Sequence, residues 1–196
     1  VAAELVRLKV DVVVSVGTQG VTAAKNATET IPIVMIGVRD PVGIGLIASL
    51  ARPGGNVTGV SGYAGLETIA KQLELLKETV PKIRRVAILS NPANAYHQLA
   101  ITEVNVAARS LGVQLQLLEA RGPNEFDGAF AAMAKERVEA LLVLSDSMLN
   151  SHRTRLADLA ARSRLPAAYG VRESVEAGGL MSYGPSFLDL YRRSAA

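Results

Sequence analysis

The stretch Ile31 to Val38 is apolar without a break, and a strand of that composition is stable only where both faces of its sheet are covered. Arg39-Asp40-Pro41 ends it, since proline cannot continue a hydrogen-bonded ladder. Gly43 to Leu50 is compatible with a short helix. Arg52-Pro53-Gly54-Gly55-Asn56 is a dense set of turn formers that leads into another strand, Val57 to Ser61.

The same alternation runs through the rest of the chain. Strands are expected at Val10–Val16, Arg85–Ser90, Val113–Glu119, Ala140–Ser145, Pro166–Tyr169 and Gly179–Tyr183. Helices are expected at Ala2–Lys9, from Gly17 to about Glu29, and over Ala95–Leu111, Asn124–Glu136, Asn150–Arg164, Val171–Ala177 and Ser186–Ala196. Another is marked by Leu66, Ile69, Ala70, Leu73, Leu76 and Val80, which form one apolar stripe. Strand starts recur roughly every 20 to 30 residues, the pitch of a βα unit, so the fold class is α/β with parallel sheets flanked by helices.

Composition narrows the chemistry. The 196 residues include no cysteine, which removes disulfides, thiol nucleophiles and cysteine-ligated metals. The net charge of +3 comes from basic residues interleaved with acids, not the footprint of a nucleic-acid binder. No run approaches the roughly 20 apolar residues of a membrane span. His97 and His152 are the only histidines, far apart at polar helix starts, and are read as solvated helix residues, not a triad or metal site. Neither a metal nor a cofactor is expected.

In open parallel sheets ligands sit outside the carboxyl ends of the strands. The candidate binding residues at those ends are Thr18, Gln19, Asp40, Asn91, Asn94, Asp146 and Tyr169. Thr18 and Gln19 open a helix, where free N–H groups and the dipole favour a carboxylate. Asp40 or Asp146 could face an ammonium group, and Tyr63 or Tyr169 could line an aromatic pocket. Polar residues at such turns also cap helices, so the set argues more strongly than any member.

Two motif matches carry little. Gly43-Ile44-Gly45-Leu46-Ile47-Ala48 fits a dinucleotide fingerprint, but Arg39 to Val42 separate it from its strand, and the next strand ends in Ser61-Gly62 with no acid for a ribose. Gly59-Val60-Ser61-Gly62-Tyr63 departs from a nucleophile elbow at its last position. Without a catalytic constellation, the chain is not expected to be an enzyme.

Asp40-Pro41-Val42-Gly43, Leu50 to Ser61 (LARPGGNVTGVS) and Ala177 to Gly184 (AGGLMSYG) together resemble the bacterial ABC-transporter substrate-binding proteins of the tryptophan-binding-protein type. The resemblance covers essentially the whole chain and is most specific at RPGGNVTGVS. It implies a type I periplasmic-binding-protein fold, with two α/β lobes that close by hinge motion around a ligand in the cleft. On this reading residues 1–62 with 180–196 form a partial first lobe and 63–179 a second. The opening β-α-β portion and closing stretch of lobe one would lie outside the chain. That predicts exposed apolar surface on the sheet of Val10–Val16 or Ile31–Val38, or its burial by another chain. The resemblance also implies a periplasmic or extracytoplasmic location, often with a lipid anchor, an amino acid or related carboxylate as ligand, and an ABC permease as partner. The rival readings are a ligand-sensing domain of a regulator or receptor and an α/β enzyme such as a racemase or hydrolase.

Overall fold

The structure, a computed structural model, describes residues 1–62 and 65–194. It divides into two compact units, Val1–Gly65 with Pro185–Ala196, and Leu66–Gly184. The first unit opens with α1 (Ala2–Arg7), β1 (Val13–Val16), α2 (Gly17–Ala27), β2 (Ile33–Val38) and β3 (Val57–Ser61). The three strands are parallel in the order β1-β2-β3, with Val13 opposite Ile33 and Ile33 opposite Val57. Val13, Ile33, Met35 and Val57 meet Val21 and Ala24 of α2 in one apolar cluster. β1 starts later than expected, because the chain bends at Asp11 before it joins the ladder.

The helix-compatible stretch after β2 is a series of turns instead of a helix. The Asp40 carbonyl accepts the Ile44 N–H at 3.1 Å, and the Pro41 carbonyl accepts those of Leu46 and Ile47 at 2.8 and 3.2 Å. This tight turn carries Leu46 and Ile47 into the core. The turn cluster before β3 serves the same unit. Asn56 Nδ2 donates to the carbonyls of Thr28 and Ile31, at 3.0 and 2.9 Å, and so ties the start of β3 to the segment that leads into β2. Gly59, at φ 130°, lies where a Cβ would collide with the Met35 carbonyl, so a side chain there would push β3 off β2.

The second unit contains α3 (Glu67–Thr79), β4 (Arg85–Ser90), α4 (Ala95–Ser110), β5 (Gln114–Glu119), α5 (Phe126–Lys135), β6 (Ala140–Val143), α6 (Ser147–Ser151), α7 (Arg153–Arg162), β7 (Ala167–Tyr169), α8 (Arg172–Glu176) and β8 (Met181–Ser182). Its five strands are all parallel in the order β5-β4-β6-β7-β8. One face of this sheet buries Leu89, Leu141, Val143 and Tyr169 against Phe126, Phe130 and Met133 of α5 and Leu156 and Ala160 of α7. The helix expected over Asn150–Arg164 is two helices that meet at His152, and it begins earlier because Asp146 caps it.

The chain then returns to the first unit as α9 (Phe187–Ser194), whose Phe187 and Leu190 lie over Gly37 of β2. The expected return at residue 180 is corrected to Pro185. Met181 and Ser182 pair with Ala168 and Tyr169, and the Tyr183 N–H donates to the Tyr169 carbonyl, so these residues extend the second sheet. In the first unit, Val12, Val14 and Val16 are 48, 61 and 38 % exposed. Since β1 ends the strand order, this apolar face adjoins an open sheet edge.

Candidate functional site

The strand order of the second unit reverses between β4 and β6, with β5 on one side of β4 and the rest of the sheet on the other. At such a switch point the two loops leave the sheet in opposite directions and open a crevice beyond the strands' carboxyl ends. Asn91 follows β4, and Ser145-Asp146 follow β6. The sequence-derived candidates Asn91, Asn94 and Asp146 therefore converge here.

They converge as one hydrogen-bonded cluster. Asn91 Nδ2 donates to Asp146 Oδ1 at 3.2 Å, and Asn94 Nδ2 donates to Asp146 Oδ2 at 3.0 Å. Asp146 Oδ1 also accepts the N–H groups of Met148 and Leu149 at 2.9 and 3.2 Å, as the N-cap of α6. Asn94 caps α4 by accepting the Tyr96 N–H, while Asn91 Oδ1 accepts the Ala93 N–H. All three side chains are buried, and Asp146 is only 4 % exposed. A carboxylate can be withdrawn from water in this way because four N–H donors replace its hydration. Each residue is thus a cap or turn former, and together they fasten the two switch-point loops.

His97 completes the fastening and departs from the sequence reading. It is 1 % exposed, not solvated. Its Nδ1 accepts the Asn91 backbone N–H at 3.0 Å, and its Nε2 lies 3.2 Å from the Ser145 carbonyl oxygen. The signal was present in the helix period, since His97, Ala100, Val104 and Ala108 share the buried face of α4. Gln72, also missed, is buried on α3, where its Nε2 donates to the Tyr183 carbonyl at 2.6 Å. The Ser145 Oγ is buried without a hydrogen-bond partner among the described residues. It stands where a Cβ on Gly170 would collide with it, which requires glycine at the end of β7.

Tyr169 is placed apart from this cluster. Its ring is 2 % exposed within the apolar layer beneath α5 and α7, and its hydroxyl has no hydrogen-bond partner among the described residues. Burial pushes its ionisation up to about 12. This ring is packed in the core, because β-strand alternation turns it with Ala167 toward the helices. Tyr63, the other aromatic candidate, lies outside the described residues.

In the first unit, Thr18 is buried and Gln19 half-buried in the first turn of α2, at the carboxyl end of β1. Asp40 follows β2, is exposed, and accepts the Gly43 N–H at 2.9 Å, so one of its oxygens is committed to the turn. Among the described residues no group of three or more His, Asp or Glu could hold a metal ion, and no helix is long and apolar enough to cross a membrane.

Comparison with known proteins agrees with this architecture. The chain is 28% identical over 184 residues to the tyrosine-binding protein of Clostridioides difficile, an alignment that takes in 94% of this chain and 52% of that protein. Among solved structures, an ABC domain from Streptococcus pneumoniae in complex with L-Trp superposes with a TM-score of 0.88 at 26% identity, over 98% of this chain and 64% of that one. A conserved domain protein from Vibrio cholerae also gives a TM-score of 0.88, at 28% identity, over 99% of this chain and 64% of that one. The chain therefore spans about half the length of the curated relative that it matches. The family described as ABC transporter substrate binding protein matches residues 1–193, and the chain, with its type I periplasmic-binding-protein-like α/β fold, belongs to that family.

Proposed function

We propose that the chain captures an amino acid or a related small carboxylate for an ABC importer. The observation that carries this reading is the TM-score of 0.88 with a family member whose structure holds L-Trp. The tyrosine-binding relative points to the same ligand class. The switch point supports it from physical grounds, since this is where a doubly wound sheet offers a crevice with polar groups from two loops.

On this reading Asn91, Asn94 and Asp146 form the polar wall of the second unit, and Thr18, Gln19 and Asp40 are the first unit's candidates. A zwitterion needs partners of both signs, because leaving either charge buried and unpaired is costly. Helix-start N–H groups near Thr18 suit a carboxylate, and Asp40 or Asp146 suits an ammonium. Delivery to a permease outside the cytoplasm, with or without a lipid anchor, belongs to the same proposal. Binding rather than chemistry is the proposed role, in keeping with a family of solute-binding proteins.

The test is calorimetric titration of the chain with L-tryptophan, L-tyrosine and L-leucine, with mass spectrometry of any molecule released on denaturation. Saturable binding that weakens in Thr18→Ala and in Asp146→Asn supports the proposal. Absence of binding and of any released amino acid or carboxylate overturns it, and unchanged affinity in both variants removes these residues from the site.

A further inference from the structure

We propose that His97 is the positioning residue of the switch point, and that its hold on the two loops is released by a proton. The proposal rests on the reading that ligand is held at the switch point. It begins from the direction of the hydrogen bonds. A backbone N–H can only donate, so the Asn91 N–H at 3.0 Å requires a lone pair on His97 Nδ1. A neutral imidazole then carries its proton on Nε2, which faces the Ser145 carbonyl at 3.2 Å, a group that can only accept. Both contacts are satisfied by one tautomer of the neutral ring and by no other protonation state.

The two contacts join the residues that open the two switch-point loops. Asn91 is the first residue after β4, and its side chain reaches Asp146. Ser145 precedes Asp146 on the loop after β6. His97 therefore sets the backbone of both loops, while Asp146, Asn91 and Asn94 join their side chains. Adding a proton to Nδ1 sets two N–H groups against each other in a buried place. Either the Asn91 N–H loses its acceptor or the ring leaves its position, and in both cases the polar wall loses its register.

Apart from Asp146, the charged groups on the elements packed around His97 are at least partly exposed. On α3 and β5, which pack against α4, Glu67, Lys71, Glu74, Lys77, Glu78 and Glu119 are exposed or half-buried. On α4 itself Glu103 is half-buried and Arg109 exposed, as is Arg85 on β4. Asp146 is the buried carboxylate joined to His97 through Asn91, and four N–H donors already occupy it.

The presence of only two histidines makes the test direct, since their ring resonances are told apart with His152→Asn. In the wild-type chain the His97 ring is expected to keep the Nε2–H pattern as long as the Asn91 amide is unmoved, and the Asn91 amide to shift only when His97 gains its proton. Affinity for L-tryptophan and L-tyrosine is expected to fall about tenfold between a pH above the range in which the Asn91 amide shifts and a pH about one unit below the midpoint of that shift. His97→Asn keeps an oxygen for the Asn91 N–H without a titrating ring, so the affinity ratio between the two pH values falls to near one, whereas His152→Asn keeps the wild-type ratio. A His97 ring that gains its proton while the Asn91 amide stays unmoved overturns the proposal. A wild-type pH ratio in His97→Asn overturns it equally. If neither amino acid binds at the higher pH, the amino-acid reading fails by itself, and the ring and amide resonances, read without ligand, still decide the role of His97. The wild-type spectra also decide it should His97→Asn not fold.

Discussion

Tyr169 and Asp146 show how differently two buried polar groups behave. The Tyr169 hydroxyl lies in an apolar layer without a hydrogen-bond partner among the described residues, so it contributes the cost of desolvation with no bond to offset it. Tyr169→Phe is expected to leave the denaturant midpoint unchanged or to raise it, by up to about 1 kcal/mol. Its effect on pH dependence has a definite sign. Because burial raises the folded ionisation to about 12, the unfolded chain releases this proton first, near its ordinary value of about 10. The contribution is fully present below about 10 and is lost as pH rises toward 12, by about 2–3 kcal/mol in all. Unfolding midpoints measured across that window should therefore fall less steeply in Tyr169→Phe than in the wild type. Asp146 is the opposite case, with four donors around one carboxylate. Asp146→Ala removes a helix cap and strands two buried amides, which is expected to cost about 3 kcal/mol in chemical denaturation. Loss of ligand in that variant would not by itself identify a ligand contact, which is why the isosteric Asp146→Asn is the better probe. Both residues could be placed at strand ends from the sequence. Which way each side chain points was settled by the pleat and by capping geometry, and strand-end position alone does not encode either.

At the scale of elements, the helices and strands with strong periodicity were legible, and those shaped by local hydrogen bonds were not. β4 spans Arg85–Ser90, the range that its apolar run marks, because a central parallel strand admits little else. Gly43 to Leu50 is helix-compatible in sequence, yet the carbonyls of Asp40 and Pro41 capture the N–H groups of Ile44, Leu46 and Ile47 in turns. His97 was misread for the converse reason, since its polar neighbours at the helix start concealed that it sits on the buried stripe of α4. β1 carries a further consequence. Its alternation buries Val13 and exposes Val12, Val14 and Val16 at the end of the strand order, with no lysine or proline to discourage pairing. Val14→Lys is expected to reduce self-association and dye binding to apolar surface, with stability changed by no more than about 1 kcal/mol. Sedimentation and light scattering across a concentration series check this, and unchanged association in the variant would show that β1 is not the contact.

At the scale of the whole chain, the two units have separate cores. The RPGGNVTGVS string that made the family resemblance specific belongs to the fold of the first unit, where Asn56 and Gly59 set how β3 meets β2. Family membership was therefore legible from residues that build the scaffold, whereas the switch-point cluster depends on loops more than 50 residues apart in sequence, as the Asn91–Asp146 separation of 55 shows. The first unit closes its core with three strands and leaves part of β1 open to water, while the second buries a five-stranded sheet beneath Phe126, Phe130 and Met133. A smaller core withdraws a smaller share of apolar surface from water, and local stability follows that share. Native-state hydrogen exchange is therefore expected to release the amides of β1 and β2 at lower denaturant than those of β4 and β6, which should exchange together at the higher free energy. An added amino-acid ligand bound at the switch point would raise the protection free energy of the β4 and β6 amides by RT ln(1 + L/Kd), with L the free ligand concentration. If all strands of both sheets instead exchange in one step at one free energy, the two cores are a single cooperative unit and the ranking by core size is wrong.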